Sequence, residues 1–184
     1  MSSRYAKLVV IVGVRGCGKT TLVRKLIEHS AKTIVCTPHI YEWNDLPDNE
    51  LKTPSDFEFS GAERHIINFD TLKRLPCFSN GAIVFDDCKV FLPSNPTGSD
   101  GKKFIEFLIG GRHKAVDFFV VAHGLTQISP LFFPYITDII LFKTDDNLQL
   151  ARQKLLHFDE LQALQKRVNE RAKKNQFYCE RLKF

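Results

Sequence analysis

Gly13-Val14-Arg15-Gly16-Cys17-Gly18-Lys19-Thr20 matches G-x-x-x-x-G-K-[ST] at every fixed position. Immediately before it, residues 7–12 read KLVVIV, an apolar and β-branched run with the character of a buried strand. Immediately after it, residues 21–29 carry helical spacing, with Leu22, Val23, Leu26 and Ile27 on one face. Strand, glycine-rich turn and helix in this order build an anion cradle. The glycines let the backbone wrap an anion without Cβ clashes, successive N–H groups point inward, and the helix N-terminus adds partial positive charge. Lys19 is then placed to reach β- and γ-phosphates, and the Thr20 hydroxyl to ligate Mg2+. Gly13, Arg15, Gly16, Cys17, Gly18, Lys19, Thr20 and Thr21 are the expected phosphate-binding set. The expected ligand is a nucleoside triphosphate.

The 184 residues read as a single domain, 1–184, long enough to bury about 70% of the surface that the unfolded chain exposes. A hydrophobic fraction of 43% beside 26% charged residues describes an ordinary soluble globular protein. Sixteen Phe against one Trp and four Tyr point to aromatic core packing rather than to chemistry. A net charge of +5 and a pI near 9.0 permit a polyanionic partner. Cys17, Cys36, Cys77, Cys88 and Cys179 form no C-x-x-C pair and no Cys/His metal spacing; an odd number, one inside the phosphate loop, predicts free thiols in a reducing compartment. No stretch reaches the roughly 18 apolar residues of a membrane span. The N-terminal apolar run leads straight into the phosphate loop and reads as a strand, not a signal-peptide core. The expected setting is the cytosol.

Further strands are expected at 33–36, 66–69, 82–87, 115–122, 138–142 and 177–182, with helices at 71–75, 102–109 and through the charged stretch 146–174. Residues 41–61 are polar, contain Trp43, Pro47 and Pro54, and read as a surface insertion. Residues 93–101 (PSNPTGSDG) read as a flexible loop, and Gly110-Gly111 closes the helix before the next strand. Strands that are apolar throughout, alternating with helices, imply an α/β fold with a mainly parallel sheet covered by helices on both faces.

Residues 82–87 read AIVFDD, four apolar residues ending in two carboxylates. Carboxylates at the C-terminal end of a strand lie beside the phosphate loop in open α/β sheets, because ligands bind along that edge. Asp86 is placed to hold the Mg2+ shell, and Asp87 to orient and deprotonate an attacking water; the plainer reading of Asp87 is a turn cap. His123 ends the 115–122 strand at the same edge, as a γ-phosphate sensor or a hydrogen-bonded strand-end histidine, with Gln127 the alternative sensor. Arg112 lies at the opposite end of that strand. It reads either as a finger for a neighbouring subunit's γ-phosphate or as a cation at a helix C-terminus. Arg15 is the second finger option and the simpler contact within its own site.

The phosphate loop, AIVFDD, Gly111-Arg112-His113 before a strand, and the VVAH…P…IILFK run after it share one order and spacing over residues 7–145. In these motifs the chain resembles the FtsK/HerA-like superfamily of P-loop ATPases, and within it the genome-packaging ATPases of tailless icosahedral and large DNA viruses. The resemblance implies a RecA/FtsK-like core, ATP and Mg2+ as cofactors, and ATP hydrolysis coupled to double-stranded DNA translocation. It further implies a homo-oligomeric ring, commonly a hexamer, working with capsid or vertex proteins in the host cytoplasm or on the virion. Lys19 and Thr20 match the nucleotide and Mg2+ ligands, and Asp86 the Walker B aspartate. Asp87 stands where many relatives have glutamate, and His123 where most have a sensor glutamine. No arginine occurs at 131–135, where some relatives carry one, which shifts the finger towards Arg112. Lys102 and Lys103 are the expected DNA contacts; the basic tail (Lys166, Arg167, Arg171, Lys173, Lys174) reads better as a solvated helix face.

Other classes are marked by absent features. A GTPase needs [NT]-K-x-D, and Phe142-Lys143-Thr144-Asp145 lacks its first residue; a small-molecule kinase needs an arginine-bearing lid. A Zot-like phage-morphogenesis protein adds a membrane span to this core. A plasmid-transfer motor and a non-catalytic ATP-binding scaffold remain as alternatives.

Overall fold

The apolar runs become strands β1 (Leu8–Val12), β2 (Lys32–Thr37), β3 (Gly61–Ile66), β4 (Gly81–Asp86), β5 (Val116–Ala122), β6 (Asp138–Phe142) and β7 (Cys179–Lys183). The helices between them are α1 (Lys19–Ile27), α2 (Phe69–Leu72), α3 (Ser99–Gly110) and α4 (Phe158–Ala172). These coordinates are a computed structural model describing residues 6–184 apart from Ser94, Pro96, Lys154 and Leu156. The strands join in one sheet of order β3-β2-β4-β5-β1-β6-β7, parallel except for the β6–β7 pair. In register, Val12 pairs with Ala122, Asp86 with Val121, and Cys36 with Phe85. The strands followed by the phosphate loop, Asp87, His123 and His39 therefore all end along one edge.

The two faces of the sheet separate by the period-2 alternation of its strands. Val9, Ile11, Val35, Val84, Phe119 and Val121 face α1, which contributes Val23 and Ile27. Val10, Ile34, Ile83, Phe85, Phe118, Val120 and Ile139 face α3 and α4, which contribute Phe104, Phe107, Leu161, Leu164 and Val168. Phenylalanines fill this second layer edge to face, with Phe107–Phe118 centroids at 5.1 Å and Phe104–Phe132 at 5.5 Å. That is the geometry the ring quadrupoles favour, and it accounts for the aromatic bias of the composition.

Several expectations shift. The core-facing stripe of α1 is narrower than its spacing suggests: Val23 and Ile27 are buried, while Leu26 is 37% exposed. The segment 41–61 is not a surface insertion, because Trp43, Leu51 and Phe57 are buried core residues. The strand expected at 66–69 lies at Gly61–Ile66, with Asn68 capping α2 through its side chain. Its charged residues suit an edge strand, and Arg64 is buried there by partners rather than by apolar character. The helix expected at 102–109 begins earlier, at Ser99. The stretch 146–174 is not one helix: a short 3-10 turn, Leu148–Ala151, precedes α4, and His157 enters α4 at φ 56. A left-handed residue stops a helix from running through. The basic tail behaves as a solvated face, since Arg167 and Arg171 pair with Glu180 and Lys173 with Glu170. Cys17, Cys36, Cys77 and Cys179 are free thiols.

Candidate active site

The phosphate loop leaves β1 and is pinned on both sides. Gly13 N–H donates to the Ala122 carbonyl at 3.2 Å, and Val14 N–H to the Lys143 carbonyl at 2.8 Å. Gly13 is required by close approach, because a Cβ there would lie 2.5 Å from Phe142 Cβ and 2.7 Å from Cys17 Sγ. Gly18 is required by conformation, as it caps α1 at φ 98. Arg15, Gly16, Gly18, Lys19, Thr20 and Thr21 line one cleft with Asp86, Asp87 and His123. The structure therefore brings six of the eight expected phosphate-binding residues into one cleft with the expected carboxylates and His123. Gly13 and Cys17, both buried, lie outside that lining.

Lys19 is buried to 8% exposure, and its Nζ donates to the carbonyls of Gly13 (2.7 Å) and Val14 (3.0 Å). The same nitrogen lies 3.4 Å from His123 Nδ1. An ammonium only donates, so Nδ1 must accept and the ring proton of a neutral His123 sits on Nε2. That proton faces Asp87 Oδ2 at 3.3 Å. His123 thus links the loop lysine to the carboxylate at the end of β4. Gln127 acts one step back: its Oε1 accepts from the His123 backbone N–H at 3.3 Å.

Asp87 adopts φ 56, uncommon for a residue with a Cβ, though aspartate tolerates it better than most. The turn takes it out of the strand as its N–H bonds the Val121 carbonyl. Its Oδ2 then meets a second imidazole, His39 Nε2 at 3.5 Å, from the loop after β2. Asp86, by contrast, is buried, and its Oδ2 accepts a 2.7 Å bond from the indole N–H of Trp43. Burial pushes the Asp86 carboxyl upward from its usual range, opposed by the Trp43 hydrogen bond and reinforced by the nearby charges of Glu42 and Asp87. Two adjacent aspartates therefore occupy different environments, one dry and one half open.

His39, Glu42 and Trp43 were not recognisable as site residues in the sequence. They come from the loop after β2, which two arginines hold in place. Arg24 of α1 pairs with Asp45 through two 2.7 Å bonds and stacks over Trp43 at 4.4 Å. Arg64 of β3 donates to the carbonyls of Ile40 and Glu42 and to Asp48. A lone tryptophan in a polar segment was the available signal.

Arg112 stands apart from this cluster, exposed in the turn between α3 and β5, at the end of β5 opposite His123. Arg15 is exposed at the mouth of the cleft. Lys102 and Lys103 are exposed on α3, away from the cleft lining.

Residues 9–88 match the family of viral superfamily 1 RNA helicase core domains, a span that takes in the phosphate loop and both aspartates. No curated protein matches the chain. Among solved structures, it is similar to the genome packaging NTPase B204 from Sulfolobus turreted icosahedral virus 2 in complex with AMPPCP. That match has 16% identity and a TM-score of 0.69, covering 96% of this chain and 92% of that one. The complex of the same protein with ATP-gammaS matches at 17% identity and TM-score 0.59, covering 97% and 88%. B204, the DNA-packaging ATPase from Sulfolobus Turreted Icosahedral Virus, matches at 16% identity and TM-score 0.62, covering 96% and 92%. The resemblance seen in the sequence therefore holds at the level of architecture: the chain has the P-loop NTPase fold of these viral packaging proteins.

Proposed function

We propose that the chain hydrolyses ATP with Mg2+ and uses the energy to move double-stranded DNA, as one subunit of a viral genome-packaging ring. The observation that carries this reading is the meeting of a complete phosphate loop with Asp86, Asp87 and His123 at one edge of a parallel sheet. Coupling to DNA rests on the likeness to packaging NTPases over nearly the whole chain. The ring, a hexamer by family habit, and its capsid or vertex partners extend the same reading.

In this scheme the loop N–H groups and Lys19 hold the β- and γ-phosphates. Asp87 accepts a proton from water as its oxygen bonds the γ-phosphorus and the bond to the bridging oxygen breaks, leaving ADP and phosphate. His123 keeps the Asp87 carboxylate aimed through its Nε2 proton and is placed to register the γ-phosphate beside Lys19. Thr20 and Asp86 suit Mg2+, a hard cation usually held by one or two protein oxygens, waters and substrate phosphates. When bound, Mg2+ neutralises charge developing on the phosphates.

The environment of Asp86 gives a separable prediction. Its raised pKa means that the folded state binds this proton more tightly than the unfolded chain does. The ionised side chain therefore costs stability at neutral pH, and the cost fades as pH falls through the raised folded value. Asp86→Asn should accordingly unfold at a higher temperature than wild type at neutral pH without metal, yet gain less than wild type from Mg2+ added with nucleotide. Differential scanning calorimetry of both proteins with and without Mg2+ reads this; a lower metal-free midpoint for Asp86→Asn would contradict it.

Function is tested by turnover with and without double-stranded DNA, in wild type and Lys19→Ala. Trp43 is the only tryptophan in the chain and bonds Asp86, so its emission should respond to occupancy of the cleft. Wild type should show a saturable emission change with Mg2+ and ATP, and faster turnover on double-stranded DNA. Lys19→Ala should retain its circular dichroism while losing at least ~100-fold in turnover. Single-stranded RNA is the control polymer, given the helicase-core match over residues 9–88. Stimulation by RNA but not by DNA would replace the packaging reading with an RNA-directed one.

A further inference from the structure

Phe177 presents its ring to solvent, 57% exposed, in the turn between α4 and β7. The turn is built to hold it there. Phe177 N–H donates to Asn175 Oδ1 at 3.0 Å and Tyr178 N–H to the Asn175 carbonyl at 2.9 Å, while Arg171 and Glu180 bond the Tyr178 hydroxyl. The ring reaches the phosphate loop: a Cβ built on Gly18 would lie 3.4 Å from Phe177 Cδ1. It lines the same cleft as Lys19, Thr20 and Thr21.

Sheet order fixes which end of a nucleotide this ring can meet. The carboxylate and imidazoles that would act on the γ-phosphate follow β2, β4 and β5, all on one side of β1. Phe177 precedes β7, on the other side of β1 beyond β6. A triphosphate gripped by the loop with its γ-phosphate towards Asp87 therefore directs its nucleoside towards Phe177.

Resting on the nucleotide-binding reading above, we propose that Phe177 is the platform on which the nucleobase stacks, and that the site selects bases by ring area rather than by their edges. A phenyl face offers dispersion and quadrupole attraction to any base and neither donates nor accepts hydrogen bonds. Purine triphosphates should therefore bind better than pyrimidine ones, and ATP and GTP alike.

The test is calorimetric titration of wild type, Phe177→Ala and Phe177→Tyr with the Mg2+ complexes of ATP, GTP, CTP and inorganic tripolyphosphate. Removing a base–aromatic stack weakens binding by about 5- to 100-fold. Phe177→Ala should lose that much affinity for ATP and GTP and none for tripolyphosphate, and Phe177→Tyr should bind as wild type. Equal losses for ATP and tripolyphosphate would make Phe177 a prop for the loop and overturn the platform. So would unchanged ATP affinity in Phe177→Ala, as expected if the ring instead seats a second copy of the chain. A wild type that binds neither ATP nor tripolyphosphate would overturn the nucleotide reading itself. Wild-type discrimination between ATP and GTP beyond threefold would overturn selection by area alone.

Discussion

Asp87→Asn is expected to bind ATP and Mg2+ as wild type does and to hydrolyse ATP about 10²–10⁴-fold more slowly, the range that a positioned general base contributes. The amide matches the carboxylate in size, so the turn at φ 56 and the contacts with His39 and His123 are sterically preserved. What is lost is the basic oxygen. An amide Oδ1 still accepts a hydrogen bond from the His123 Nε2 proton, so the ring keeps its tautomer and its contact with Lys19. The defect should then appear in turnover and not in occupancy. Trp43 emission measures occupancy and phosphate release measures turnover, on the same sample. Loss of Trp43 response with normal turnover per bound nucleotide would reverse the roles given to Asp86 and Asp87. Wild-type turnover would make Asp87 a turn cap after all.

The phosphate loop, both aspartates, His123 and every strand of the sheet core were legible in the sequence for a common reason. Each is encoded over a few adjacent residues: glycines at fixed offsets, or an apolar run, with a polar residue after it where the site needs one. Parallel strands buried on both faces also read plainly as unbroken hydrophobic runs. The missing part of the site, His39, Glu42 and Trp43, depends on long-range partners. Trp43 is buried because Asp86 accepts its N–H and Arg24 covers its ring, and neither fact is visible in a polar segment rich in turn formers. The same reason moved β3. Its Arg64 is buried by Asp48 and two loop carbonyls, so hydrophobic pattern pointed to the following Ile66–Phe69 instead. Phe177 reads as the start of a strand at 177–182 but lies in the turn before β7, and an exposed aromatic there gains meaning only once β7 closes beside β6.

Arg112→Ala is expected to keep full ATP affinity and to lose about 10³–10⁵-fold in turnover, the size of the effect when an arginine finger is withheld. The fold places Arg112 where it cannot serve its own site. It precedes β5 while His123 follows it, and seven residues of strand separate them, roughly 20 Å at the rise of a β-strand. In a ring assembled by one repeated rotation, a surface away from one subunit's cleft can face the cleft of the next. A guanidinium brought there offers planar, permanently charged donors suited to the γ-phosphate. The turn that carries it is exposed yet anchored, with Val116 N–H bonded to the Gly111 carbonyl and His113 N–H to that of Gly110. Removing the side chain should therefore leave the monomer folded. The decisive measurement is mixing. Arg112→Ala and Asp87→Asn proteins, each nearly inactive alone, should recover activity together. Junctions then form in which an Arg112→Ala subunit supplies an intact base and its neighbour an intact finger. The recovery should rise with total protein as rings assemble. A fully active monomer, or normal turnover of Arg112→Ala by itself, would return Arg112 to a helix C-terminal cation and leave Arg15, at the mouth of the cleft, as the arginine to test next.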